Sequence, residues 1–187
     1  MAANISGSGR RGNGLRWAMW GFAALLLALP AVAMQFDTGV NWTATDFLTW
    51  GAMLAIACGA YEFGARRTGN RTYRAGVGVA VVTGFLLVWI TLAVGIIGSE
   101  TNGANLMFAG VLAVGGIGAL IGRFQPLGMA RALVATAIAQ ASVAVVVLVA
   151  ALGSNREVLA LTAIFVVLWL VSAWLFRNAA REQGLPT

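Results

Sequence analysis

Residues 81–122 read "VVTGFLLVWITLAVGIIGSETNGANLMFAGVLAVGGIGALIG", two apolar runs separated by a short polar interruption. Each run approaches the ~20 residues that carry a helix across ~30 Å of hydrocarbon at ~1.5 Å per residue. Between them, Ser99, Glu100, Thr101, Asn102 and Asn105 are either a turn between two membrane-spanning helices or a site. Gly98 and Gly103 relax the backbone there, and Asn102 or Asn105 is placed to cap the helix that follows.

The same alternation extends outward in both directions. Apolar runs fall at about Arg16 to Met34, Phe47 to Ala65, Ala75 to Gly98, Leu106 to Gly122, Ala132 to Gly153 and Val158 to Phe176. Lipid-exposed strands would leave backbone groups unpaired, so all six runs are expected to be helices, giving an all-α integral membrane bundle. The expected organisation is a disordered tail over 1–15, a six-helix domain over 16–177 and a short tail over 178–187. The first run ends in "PAVAMQF", where Ala31 and Ala33 form an A-x-A pattern, so five helices would remain if it were a cleaved signal peptide. Its length favours an uncleaved anchor. The hairpin-like spacing is compatible with three tandem helical hairpins or with two three-helix halves of opposite orientation.

Composition agrees with a bilayer as solvent: 60% of residues are hydrophobic and 10% charged, with a mean hydropathy of +0.86. Histidine is absent, which excludes bis-imidazole haem, most zinc and copper sites and a Ser-His-Asp triad. Lysine is absent too, excluding a Schiff-base site and a Walker-type phosphate loop. The single cysteine, Cys58, stands among apolar residues and reads as a buried hydrophobe. No cofactor and no metal site is expected, and the chain reads as non-enzymatic.

All twelve positive charges are arginine. Arg10, Arg11 and Arg16 precede the first run, Arg66, Arg67, Arg71 and Arg74 follow the second, Arg123 and Arg131 follow the fourth, and Arg177 and Arg181 follow the sixth. Only Arg156 lies at an opposite loop, with Asp37, Asp46, Glu100 and Glu157. By the positive-inside rule both termini are cytoplasmic. Arginine at the ends of apolar runs points to lipid headgroups and not to nucleic acid, since no aromatic and basic interleaving is present.

Few residues could carry chemistry. Glu62 is the one ionisable group inside an expected span, and Arg66 stands at i+4 to pair with it near the boundary. Gln140, near the middle of the fifth run, reads as hydrogen-bonding glue between helices. Asp37, Asp46, Glu100, Asn102 and Asn105 could together form an outward-facing site for a hard cation, although each also suits a turn or cap. Ser154 and Glu157 have the spacing of a capping box. Gly76, Ala80 and Gly84 in the third run, and Gly115, Gly118 and Gly122 in the fourth, are small residues that let helices approach, and a tight hairpin between these two runs is expected. Trp89 and Trp169 lie deeper than the other tryptophans, where they pack or line a pocket for an apolar ligand such as a quinone.

The stretch from Val94 to Ala141, with "VNWTATDF" before the second run, resembles a family of small multi-pass bacterial inner-membrane proteins. The resemblance implies a compact helical membrane protein from a bacterium and brings no activity, cofactor or assigned site. The expected function is that of an accessory or structural subunit, bound to the lipid bilayer and to another membrane protein or a second copy. The alternative is a small transporter or channel lined by polar residues.

Overall fold

A computed structural model of the chain describes residues 8–36, 39–150 and 155–184. Among these residues the structure is all-helical: α1 (Ser8–Ala33), α2 (Ala44–Ala65), α3 (Arg71–Ala93), a 3₁₀ turn (Gly103–Leu106), α4 (Met107–Ile121), α5 (Pro126–Val149) and α6 (Asn155–Glu182). Six helices are long and apolar enough to cross a membrane. The chain divides into two compact units, Met1–Glu62 and Phe63–Thr187.

Several boundaries differ from the hydropathy reading for a common reason. Apolarity marks where a helix enters hydrocarbon, whereas backbone hydrogen bonding continues into the headgroup region until a cap or breaker stops it. Thus α1 already runs from Ser8, inside the expected tail over 1–15, and α6 continues to Glu182, inside the expected tail over 178–187. Likewise α3 starts at Arg71, because the Asn70 side chain accepts from Tyr73 N. With Pro126 in its first turn, α5 includes Arg131, ahead of the apolar run that starts at Ala132.

Within the first unit α1 and α2 run antiparallel. Trp50 Nε1 donates to Leu26 O at 3.2 Å, and Leu27 lies against Gly51. Trp42 stacks edge-on against Phe47 and Trp50 at the far end. These links run through long side chains, without close backbone approach of the two helices.

The second unit is the tighter one. Here α5 packs on both α4 and α6, and α3 packs on α6, while α3 and α4 touch only lightly. The expected tight α3–α4 hairpin is therefore corrected: their small residues do admit close neighbours, but mostly other ones. A Cβ on Gly76 would stand 3.2 Å from the Phe176 ring, on α6. One on Gly115 would meet Thr136 Oγ1 at 3.0 Å, and one on Gly118 would meet Ala132 Cβ at 2.8 Å, both on α5. Gly84 faces Leu112 of α4 and Trp169 of α6 together, and Ala80 is half-buried. Small residues advertise that something comes close, not which helix it is.

Polar stitches hold the arginine-rich end of this unit. Tyr73 Oη donates to Phe124 O at 2.5 Å, and Ser172 Oγ donates to Gly76 O at 2.8 Å. Asn70 Nδ2 and Thr72 Oγ1 both donate to the Glu182 carboxylate at 2.8 Å.

Candidate functional site

The polar interruption between α3 and α4 is built around one side chain. Gly95 and Gly98 take left-handed φ values of 77° and 72°, reversing the chain after α3. Asn105 is buried, and its Oδ1 accepts from Ile96 N at 3.1 Å and Ile97 N at 2.9 Å, while its Nδ2 donates to Ser99 O at 2.7 Å. Asn102 caps the 3₁₀ turn by accepting from Ala104 N. Both asparagines are thus committed to the turn. Glu100 is exposed and makes no hydrogen bond or ion pair among the described residues. It joins Thr101 and Asn102 at the rim of a groove of about 380 Å³ between α3 and α4, walled by Leu87, Phe108 and Leu112. The groove lies between the carboxyl-terminal part of α3 and the amino-terminal part of α4.

Asp46 is also committed locally. Its carboxylate accepts from Thr43 N at 2.7 Å and Thr43 Oγ1 at 2.8 Å, closing a capping box on α2. Asp37 and Ser154 lie outside the described residues. Among those described, no group of three or more His, Cys, Asp or Glu side chains could hold a metal ion.

Glu62 is largely buried and forms an ion pair with Arg16 of α1. Trp20 Nε1 adds a long hydrogen bond of 3.4 Å to the same carboxylate. Neither Arg16 nor Trp20 is among the partners that the local i to i+4 spacing of Glu62 and Arg66 points to. Their signal was a basic and an aromatic residue four apart, Arg16 and Trp20, on one face of α1. Arg66 is exposed just past the end of α2.

Inside the second unit most of the hydroxyls that might line a path are turned onto backbone. Thr83 donates to Val79 O, Thr91 to Leu87 O, Thr136 to Ala132 O and Ser142 to Ile138 O. Gln140 behaves differently. It is 0% exposed, yet neither Oε1 nor Nε2 meets a hydrogen-bond partner, so it does not supply the interhelical bond expected of it. Thr162 Oγ1 and Trp169 Nε1, on α6, are buried and unpartnered as well. The antiparallel register of Gly118 with Ala132 and Gly115 with Thr136 sets Gln140 level with Gly110 and Val111. Trp89, unlike Trp169, is exposed.

An unpaired buried amide costs about 1–3 kcal/mol. Gln140→Leu, which removes it at similar volume, is therefore expected to leave the protein as stable as before or to stabilise it by about 1 kcal/mol. Denaturant titration in detergent checks this. A clear loss of stability would mean that the amide is bonded in the folded protein.

An all-helical chain with six apolar spans, solid packing in its second unit and polar groups mostly committed to caps and backbone is a multi-pass membrane protein. Compared with family models, with curated proteins and with solved structures, it finds no match.

Proposed function

We propose that the protein is a non-enzymatic bacterial inner-membrane subunit with both termini in the cytoplasm, which works by docking a helix of another membrane protein, or of a second copy, against α4. The observation that carries this reading is that α4 has small residues on both of its faces. Gly115, Gly118 and Gly122 are covered by α5. On the opposite side Ala109, Ala113 and Gly116 share a face at helical spacing and are exposed, and a Cβ on Gly116 would meet nothing within 4 Å. In a bilayer, apolar area alone does not bring helices together, whereas small residues permit backbones to approach and dispersion contacts to accumulate. The arginine-rich end shared by α3 to α6 supports the cytoplasmic assignment of the carboxyl terminus.

Native mass spectrometry of the tagged protein, extracted from its own membrane in mild detergent, tests this. The expected result is a stoichiometric second chain or a homo-oligomer that is lost in Gly116→Leu, with the melting temperature of the monomer unchanged. A protein that is monomeric before and after the substitution overturns the reading.

Transport of a small solute is the second reading, favoured by the unpartnered Gln140, Thr162 and Trp169. It ranks lower because Thr83, Thr91, Thr136, Ser142 and Ser172, which such a path would recruit, already bond to backbone carbonyls. A retained ion or small molecule in the same mass spectra would raise it.

A further inference from the structure

A second cavity, of about 250 Å³, opens at the arginine-rich end of the Phe63–Thr187 unit, lined by Arg67, Tyr73, Arg123, Gln125 and Gln183 among others. We propose that it binds a phosphate group, with the Arg67 and Arg123 guanidinium groups as its ligands.

The charge in this cavity is uncompensated. Among the described residues neither Arg67 nor Arg123 pairs with a carboxylate or donates a side-chain hydrogen bond. Glu182 is the neighbour of the lining residue Gln183, but its two oxygens are taken by Asn70 Nδ2 and Thr72 Oγ1. Two arginines lining one cavity bring like charges together, which an anion between them would offset, and a tetrahedral phosphate offers each guanidinium a pair of oxygens.

The Arg67 side chain and the Arg123 backbone are also held in place. The Arg67 guanidinium lies 4.3 Å from the centroid of the Phe63 ring and 5.1 Å from that of Phe124, and the two rings stack edge-on at 5.1 Å. Stacking fixes the plane of the guanidinium and leaves its N–H edge unbonded. Arg123 and Phe124 follow one another in left-handed backbone, at φ 49° and 56°, a conformation disfavoured for L-residues. The buried Tyr73 hydroxyl pins this segment through Phe124 O. Gln125, which opens α5, gives it no side-chain cap, so the partial positive charge of a 24-residue helix adds to the same field. A guanidinium pair at the arginine-bearing end of the membrane spans of this unit sits where lipid phosphates lie, and free phosphate offers the same chemistry.

The test uses the full chain in a neutral detergent, with native mass spectrometry counting retained lipid after exchange into phosphatidylcholine nanodiscs doped with phosphatidic acid. Each arginine at a membrane surface contributes roughly a fivefold preference for anionic lipid. The expected result is selective retention of phosphatidic acid that falls about 30-fold in Arg67→Gln/Arg123→Gln and is unchanged in Arg177→Gln, an exposed arginine outside the cavity. Arg123→Gly serves as the folding control, because it removes the guanidinium while tolerating the left-handed φ; it is expected to lose retention at an unchanged melting temperature. If inorganic phosphate raises the melting temperature of the unsubstituted protein, does so less in the double variant, and no lipid is retained, the ligand is free phosphate and the site stands. Equal losses from Arg177→Gln and the double variant would show diffuse surface attraction and overturn the proposal. So would no effect of the double variant on either ligand.

Discussion

Gly128→Ala is expected to open the α4–α5 pairing and to destabilise the protein more than any other single methyl group considered. A Cβ at Gly128 would stand 2.5 Å from Gly122 O and 2.6 Å from Gly122 Cα, and the reciprocal Cβ at Gly122 would meet Gly128 backbone at 2.8 Å. Overpacking costs typically about 1–3 kcal/mol when a side chain can give way. Here the obstacle is main chain, at the turn that joins the two helices, so the helices themselves must separate and lose contacts along their length. The expected loss is at the upper end of that range or beyond it. Gly116→Ala on the same α4 provides the comparison: with open space around it, it should be neutral or gain roughly 1 kcal/mol from helix propensity. Denaturant titrations of both variants in one detergent decide the matter. Similar curves for the two would show that the close approach at Gly122 and Gly128 does not hold the pair together.

Asn105→Leu is expected to have the next largest effect, about 3 kcal/mol, because it strands several main-chain groups at once. Ile96 N and Ile97 N would lose their acceptor, and Ser99 O its donor, within a segment where Ile96 and Ile97 are themselves buried. Asn102→Ala removes a single capping bond and should cost about 1 kcal/mol. Hydrogen exchange gives the finer readout: in Asn105→Leu the Ile96 and Ile97 amides should exchange far faster, whereas in Asn102→Ala they should stay protected. If Asn105→Leu leaves both amides protected, the turn is held by its glycines and apolar contacts.

The six spans and the gathering of arginines at one end of α3 to α6 were legible because both are one-dimensional signals, carried by runs and by position along the chain. Three-dimensional partnership was not. Glu62 has a neighbour one turn away that the sequence makes visible, whereas its ion pair with Arg16, forty-six positions earlier, leaves no local mark. Gly76 marks a close approach to Phe176 of α6 and not to α4, whereas Gly84 meets Leu112 of α4 as well as Trp169 of α6, since a stripe of small residues has no label for the helix that fills it. Asn105 was legible as a turn residue, but the four main-chain groups it satisfies lie six to nine residues upstream and follow no fixed spacing. The cavity beside Arg67 had a faint signal, phenylalanine near arginine in "EFGARR" and "GRFQP", which acquires meaning only when the two segments meet.

The attachment of α3 to α6, through Gly76, Phe176 and Ser172, has a consequence for biosynthesis. At about 5–20 residues per second, a ribosome needs roughly 5–20 s to pass from Gly76 to Phe176. Throughout that interval α3 is synthesised and inserted without the helix that covers it. The α4–α5 pair, joined by a turn of four residues (122–125), can close as soon as it leaves the insertion machinery. Assembly therefore proceeds outward from the middle of the second unit, and α6 comes last, joining its oldest helix to its newest.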